Sequence, residues 1–255
     1  MYAEERQQAI ASLVISRGRA SVADLAQEYD VTTETVRRDL AALDRAGILR
    51  RVHGGAVPAR ALHVVEPGVM ERETTRADYK DAIAKAAIDY LPVSGGSVLL
   101  DAGTTTGRVA ALLPTDRDLV VVTNSVPIAS RLAGMPTVSL HMLGGRVRGL
   151  TQAAVGEPAL QALGALRVDV AFIGTNAISV GHGVSTPDSE EAAVKRAMVR
   201  SASYVVVVAD STKLGRESLM SFAPIDRVDV LITDSEAGEA DREELAHAGV
   251  DVVIA

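Results

Sequence analysis

The stretch Asp101-Ala102-Gly103-Thr104-Thr105-Thr106 carries the residue types of an anion seat. Glycine lets a ligand approach the backbone, three hydroxyls offer hydrogen bonds, and the free amides that open a helix favour negative charge. A phosphate is the natural occupant; an ordinary helix start with spare threonines is the plain alternative. Four more apolar runs end in polar residues or glycine: Thr123-Asn124-Ser125, Leu143-Gly144-Gly145-Arg146, Gly174-Thr175-Asn176 and Ala209-Asp210-Ser211, with Lys213 just beyond. Five such ends in succession exceed what turns require and point to a small-molecule pocket. The candidate ligand-binding residues are Asp101, Gly103, Thr104, Thr105, Thr106, Thr123, Asn124, Ser125, Gly144, Gly145, Arg146, Gly174, Lys195, Asp210 and Lys213. Lys195, within E-E-A-A-V-K-R, reads equally as a solvated helix charge or a group reaching into the pocket. Asp188 and Glu191 suit sugar hydroxyls, with capping and surface roles as the default.

Other chemistries are excluded. No G-K-[ST] follows the glycine and no G-x-G-x-x-G occurs, which argues against nucleotide binding. The five histidines (53, 63, 141, 182, 247) are scattered and the chain has no cysteine. Metal sites, thiolate chemistry and disulfides are therefore not expected. No Ser-His-Asp arrangement and no G-x-S-x-G motif is evident. The expectation is a ligand but no cofactor and no metal.

A second stretch, Val31 to Gly47, suits nucleic acid. Val36, Leu40 and Leu43 fall on one face of a helix, Arg38 and Arg45 on the opposite face, and Arg37 on the flank. Thr32 is a suitable N-cap and Gly47 a suitable stop. A helix that enters a DNA major groove needs short polar groups near its start and guanidiniums for phosphate or guanine. Ser21 caps a preceding helix with Val22, Leu25, Ala26 and Tyr29 inward, and Glu4 to Ser16 forms a third. Ile48 to Val57 alternates around Gly54-Gly55 and reads as a β-hairpin wing. The candidate DNA-binding residues are Thr32, Thr33, Glu34, Thr35, Arg37, Arg38, Arg50, Arg51, His53 and Gly54. A three-helix core with merely solvated arginines is the bland alternative.

The elements that position these residues fall into two blocks. Valine- and isoleucine-rich runs at 97–101, 119–123, 137–143, 168–173, 204–210, 228–234 and 250–254 alternate with helical stretches at 105–113, 126–133, 158–165, 190–203 and 240–248. That pattern predicts an α/β fold with a parallel sheet buried on both faces, and ligands then sit beyond the carboxyl ends of the strands. The expected organisation is a winged helix-turn-helix domain at 1–57, a linker at 58–78 whose later part is helical around Val69 to Ala77, and an α/β domain at 79–255. Tyr79 to Leu91 opens the last, with Ile83, Ala87 and Leu91 inward.

The 255 residues carry a net charge of −7, unevenly spread. Residues 1–60 hold nine arginines against eight acids, so the acidic excess belongs to the remainder. Binding to DNA would then depend on paired placement on a specific site. No apolar run approaches the ~20 residues of a membrane span, and the N-terminus has no signal-peptide pattern. The expected location is the cytoplasm.

V-T-T-E-T-V-R-R-D-L followed by R-R-V-H-G-G-A resembles the amino-terminal signature of the DeoR-type bacterial transcription regulators. L-L-D-A-G-T-T-T, V-V-T-N-S, L-G-G-R, F-I-G-T-N and A-D-S-T-K resemble their sugar-phosphate sensor domain. The resemblance implies a winged helix-turn-helix joined to a Rossmann-like α/β sensor similar to ribose-5-phosphate isomerase. It implies a repressor of a sugar-catabolism or uptake operon that binds double-stranded operator DNA as a homodimer or homotetramer. A phosphorylated sugar would release it. The opening M-Y-A-E-E-R-Q-Q-A-I and S-T-P-D-S-E-E-A-A-V-K-R resemble the fructose-operon members, which implies fructose 1-phosphate. Two alternatives stand beside this: a transcriptional activator, and an isomerase-like enzyme fused to a DNA-binding head. Where the isomerases carry an acidic Gly-Ala-Asp-Glu loop, this chain has Gly174-Thr175-Asn176-Ala177, so both carboxylates are missing.

Overall fold

The computed structural model describes residues 3–46, 48–52, 54–58 and 68–255, in two compact units, 1–65 and 66–255. The first unit contains α1 (Ala3–Arg17), β1 (Ala20–Ser21), α2 (Val22–Glu28), α3 (Thr33–Arg45), β2 (Leu49–Val52) and β3 (Gly55–Pro58). Ile10, Val14, Leu25, Val36, Leu40, Leu43 and Leu49 form its core. The Ser21 hydroxyl accepts the Asp24 amide at 3.0 Å and starts α2. The Thr32 hydroxyl accepts the Thr35 amide at 3.2 Å and starts α3. Between them Asp30 turns the chain at φ +50°, a left-handed conformation that Asp tolerates better than most residues. The wing is a three-stranded antiparallel sheet in the order β1-β3-β2, because Ala20 and Ser21 add a short strand that carries no periodic signal. Gly47, read from sequence as the stop of α3, lies outside the described residues; α3 ends at Arg45 with Ala46 as its C-cap.

The second unit begins with α4 (Val69–Thr74), α5 (Ala77–Ala87), β4 (Ser97–Leu100), α6 (Thr104–Ala111), β5 (Leu119–Thr123), α7 (Val126–Leu132) and β6 (Val138–Met142). There follow β7 (Arg146–Arg148), β8 (Ala153–Val155), α8 (Glu157–Gly164), β9 (Val168–Gly174), β10 (Ala177–Ser179), β11 (Gly183–Thr186) and α9 (Ser189–Ser201). The last are β12 (Ala202–Val208), β13 (Met220–Ala223), β14 (Val230–Thr233), α10 (Glu239–His247) and β15 (Asp251–Ile254). All seven apolar runs of the sequence enter one parallel sheet in the order β15-β14-β12-β9-β4-β5-β6. Side chains alternate between its faces. Val98, Leu100, Phe172, Val206 and Ile232 pack with α5, α6 and α7, whereas Leu99, Ile173, Val207 and Leu231 pack with α8, α9 and α10. The chain winds outward through β5 and β6 on one side of β4, and through β12, β14 and β15 on the far side of β9. The winding direction therefore reverses between β4 and β9, where open α/β sheets hold ligands.

The sequence sets residues 58–78 apart as a linker, but from Gly68 onward they belong to the second unit. The Val69 amide donates to Leu150 O at 2.9 Å, and helix α5 starts at Ala77. A six-residue helix gives too weak a periodicity to show that it is fastened. The antiparallel sheet β10-β11-β13 and the hairpin β7-β8 were likewise not foreseen. Their three- and four-residue strands are too short to alternate.

Gly145 fixes the hairpin that crosses the carboxyl edge of the sheet. Its φ is +136°, and a Cβ there would lie 2.4 Å from Val155 O. Gly145→Ala is expected to lower stability by about 1–3 kcal/mol in urea unfolding. Gly134→Ala, where a Cβ meets nothing within 4 Å, should leave the curve almost unmoved.

Candidate functional site

The first unit presents a basic face on α3. Thr32, Thr33, Glu34, Arg37, Arg38 and Arg45 are exposed while Val36, Asp39, Leu40 and Leu43 are buried. Thr35 shares a 2.9 Å hydrogen bond with Thr32, and Arg37 stands 3.5 Å from Glu34. Arg51 and Gly54 are exposed on the wing; His53 and the side chain of Arg50 lie outside the described residues. The helix is aimed by a group that sequence reading passed over. Asp39 faces inward and accepts from Arg6 Nε at 2.7 Å and Gln7 Nε2 at 2.9 Å, which fastens α3 to α1. A lone acid between Arg38 and Leu40 offers no signal that it points inward.

In the second unit the strand ends meet at the reversal point. Asp101, Ala102, Asn124, Ala153, Glu191 and Lys195 line a narrow polar hollow there. Asp101 and Lys195 form a buried ion pair through Asp101 Oδ2, which also accepts the Gly174 amide at 3.1 Å. Lys195 donates to Gly174 O at 2.9 Å, so it points inward from α9 and is not a solvated helix charge. Burial pushes the Asp101 carboxyl above its ordinary value, opposed by Lys195 and the Gly174 amide. Glu191 is buried and accepts from Arg148 at 3.1 Å and from the Thr151 hydroxyl. Asp188 caps α9 and meets Arg148 at 3.2 Å, and Arg146 pairs with Glu190. The β7-β8 hairpin is thus clasped to the start of α9 by charge.

Several polar strand ends serve the framework. The Thr123 hydroxyl donates to Leu100 O at 2.6 Å. Asn124 accepts the Ala102 amide at 3.0 Å and donates to Ala154 O at 3.2 Å. Ser125 caps α7, and Asn176 accepts from Thr186 at 2.9 Å. The turn after β4 is different. Gly103 provides no side-chain cap, so the first amides of α6 are left to other partners. Thr104, Thr105 and Thr106 are buried there, with the Thr106 hydroxyl donating to Gly103 O at 3.0 Å.

A basic cluster lies at the same edge. Lys80 of α5 is buried, and its ammonium donates to Arg72 O and, at 2.7 Å, to Thr75 O. Burial lowers its pKa to about 8; Arg108 and Lys213 push it the same way, while Asp210 and Glu73 oppose them. The sequence assigned Lys213 to this edge and missed Lys80, whose position on an amphipathic helix reads as a solvated charge. Asp210, expected beside the ligand, caps the 3₁₀ turn Ser211–Lys213 and stands 3.7 Å from Arg76. Arg76, at φ +54°, also reaches Asp234 at 3.0 Å and Glu236 at 2.8 Å. Burial would raise the Asp234 carboxyl, but the Ser211 and Glu236 amides, the Ser211 hydroxyl and Arg76 together bring it below its ordinary value.

Among the described residues no group of histidines or acids could hold a metal ion, and no helix is long and apolar enough to cross a membrane. Comparison with known proteins adds identity to this geometry. The HTH-type transcriptional regulator GlpR of Haloferax volcanii is 38% identical over 253 residues, 99% of this chain and 98% of its own length. The uncharacterized HTH-type transcriptional regulator FruR of Bacillus subtilis is 34% identical over 236 residues, 92% of this chain and 93% of its own. Among solved structures, ribose 5-phosphate isomerase A of Methanocaldococcus jannaschii covers 55% of each chain at 16% identity and a TM-score of 0.41, too distant to assign anything here. Residues 6–60 match the DeoR-like helix-turn-helix domain and residues 75–235 the DeoR C-terminal sensor domain. With both domains present and relatives matched from end to end, the chain belongs to the DeoR family of transcription regulators.

Proposed function

We propose that this regulator represses a sugar-catabolism or uptake operon and leaves its operator when a phosphorylated sugar, fructose 1-phosphate first among candidates, fills the second unit. The observation that carries the reading is Lys80. It is a buried ammonium held by carbonyl oxygens, with the charges of Arg108 and Lys213 around it, at the edge where α6 opens uncapped. Such a place favours a dianion. In the proposal, Gly103 to Thr106, Lys80 and Lys213 take the phosphate, and the concavity between Asp101, Asn124 and Glu191 takes hydroxyls. A sensor rather than an isomerase is supported by the state of the carboxylates. Proton abstraction needs a base free to reach substrate, whereas Asp101 is engaged by Lys195, and Glu191 by Arg148 and Thr151. In the first unit, Thr33 to Arg38 would enter the major groove and the wing would touch phosphates, with two copies reading paired half-sites.

The test is full-length protein on its own upstream DNA, followed by fluorescence anisotropy while phosphorylated sugars are added. Release by a phosphorylated sugar and not by the free sugar supports the reading; activity as a ketose–aldose isomerase would overturn it. Arg38→Ala is expected to weaken operator binding by about 1–3 kcal/mol while sugar-phosphate binding stays at the wild-type value in calorimetry. Thr104→Val combined with Lys213→Ala should give a repressor that remains on DNA at sugar-phosphate concentrations that release the wild type. Ligand affinity should also depend on pH. Lys80 is charged below about 8, so binding should be strongest between the second ionisation of the phosphate, near 6, and pH 8, and should decline above. Flat calorimetric affinity from pH 7 to 9.5 would remove Lys80 from the site.

A further inference from the structure

Helix α4 is fastened as a strap at the carboxyl edge. Its start is tied to the hairpin tip through the 2.9 Å bond from the Val69 amide to Leu150 O. Its end is tied by Lys80, which takes the Arg72 and Thr75 carbonyls, and by Arg108 of α6, which takes Glu73. Between these anchors, Arg72 turns one edge of its guanidinium inward. Nε and Nη2 are buried and have no hydrogen-bond partner. They are the adjacent pair of N–H donors that grips two oxygens of a phosphate or carboxylate side by side. Guanidinium does not shed its proton at any ordinary pH, so the exposed-edge solution open to a lysine is closed to it. Arg72 is half-buried as a residue, yet these two donors are out of solvent, and a buried donor without an acceptor is a cost that a fold rarely keeps. Of the two carboxylates that flank it in the chain, Glu73 is taken by Arg108 and Glu71 is exposed to solvent. Among the described residues this fork has no acceptor.

We infer that Arg72 is a ligand for the effector's phosphate, its Nε and Nη2 gripping two phosphate oxygens. The inference rests on the phosphorylated-sugar reading above and extends it to a residue that neither motif nor spacing singled out. It also gives the ligand a mechanical consequence. Occupancy would pin α4, the first described element of the sensor after the connection from the winged helix, onto the edge where Thr104 to Thr106 lie.

The experiment uses the full-length chain, thermal melts and calorimetry. The probes are fructose 1-phosphate, glucose 6-phosphate, glycerol 3-phosphate, inorganic phosphate and unphosphorylated fructose. Arg72→Gln should lose at least tenfold in affinity for the phosphorylated probe that the wild type binds. Its melting point without ligand should be unchanged or higher, because a stranded charge has been removed. Arg72→Lys keeps the charge but not the fork and should fall between the two. Wild-type affinity in Arg72→Gln overturns the inference, as does a lower ligand-free melting point with affinity intact, the mark of a structural role. Should Arg72→Gln not fold, Arg72→Lys decides alone, with undiminished affinity counting against the fork. Failure of the wild type to bind any phosphorylated probe overturns the functional reading itself, a result distinguishable from the others because it precedes the variants.

Discussion

The buried pair of Asp101 and Lys195 organises the sensor. It joins the end of β4 to the middle of α9, and both partners bind Gly174 at the end of β9. These are the two strands between which the winding of the sheet reverses. In a low-dielectric interior such a pair contributes little net stability, because desolvation offsets attraction. Its value is positional, since removing either partner strands the other. Asp101 therefore holds three elements in register where the winding of the sheet reverses. Burial raises the pKa of the same carboxylate, with Lys195 and the Gly174 amide opposing that shift.

Around this pair the carboxyl edge is a closed circuit of charge. Glu191 and Asp188 receive Arg148, Glu190 receives Arg146, and Asp210, Asp234 and Glu236 receive Arg76. An acidic chain that binds an anion must keep its own acids from repelling it. Here the acids are paired largely with arginines, while Lys80 is held by carbonyl oxygens and two nitrogens of Arg72 have no hydrogen-bond partner among the described residues. Under the phosphorylated-sugar proposal, selection for a phosphate is expressed less in the groups that attract it than in how completely the competing carboxylates are occupied.

The sheet was legible because its inner strands, β14, β12, β9, β4 and β5, are mostly buried, and continuous Val/Ile runs are what such burial demands; the edge strands β6 and β15 keep enough of the pattern to be read although they are partly exposed. The turn from β4 into α6 at Gly103 to Thr106 was legible as a helix start, which glycine and hydroxyls at a strand end suit. Lys80, Arg72 and Asp39 were not. Each is a charge on a helix, where the default is solvent, and its direction is set by contacts thirty or more residues away or by a neighbouring short helix. Thr123, Asn124 and Ser125 show the converse: side chains that read as a binding set also supply hydrogen bonds to strand ends and a helix start. A polar residue at a strand terminus has an unsatisfied backbone beside it, and that local demand competes with any ligand.

The division of the chain into a reader and a sensor places a constraint on how the two communicate. A ligand changes DNA affinity only by the difference in its affinity for two conformers, so a hundredfold release requires about 2.7 kcal/mol of differential contact. The rigid part of the sensor cannot supply it, because its close-packed strands have one arrangement. The segment from Gly68 to Arg76 can. It is short, its core contribution is nil, and it is held by backbone bonds to Leu150 and by charges on Lys80, Arg108 and the acids around Arg76. Arg76 adds a left-handed residue whose conformation persists through its ion pairs. A segment fastened by polar contacts rather than by burial opens at lower cost than packed strands, and under the proposal an anion on Arg72 would act on that opening.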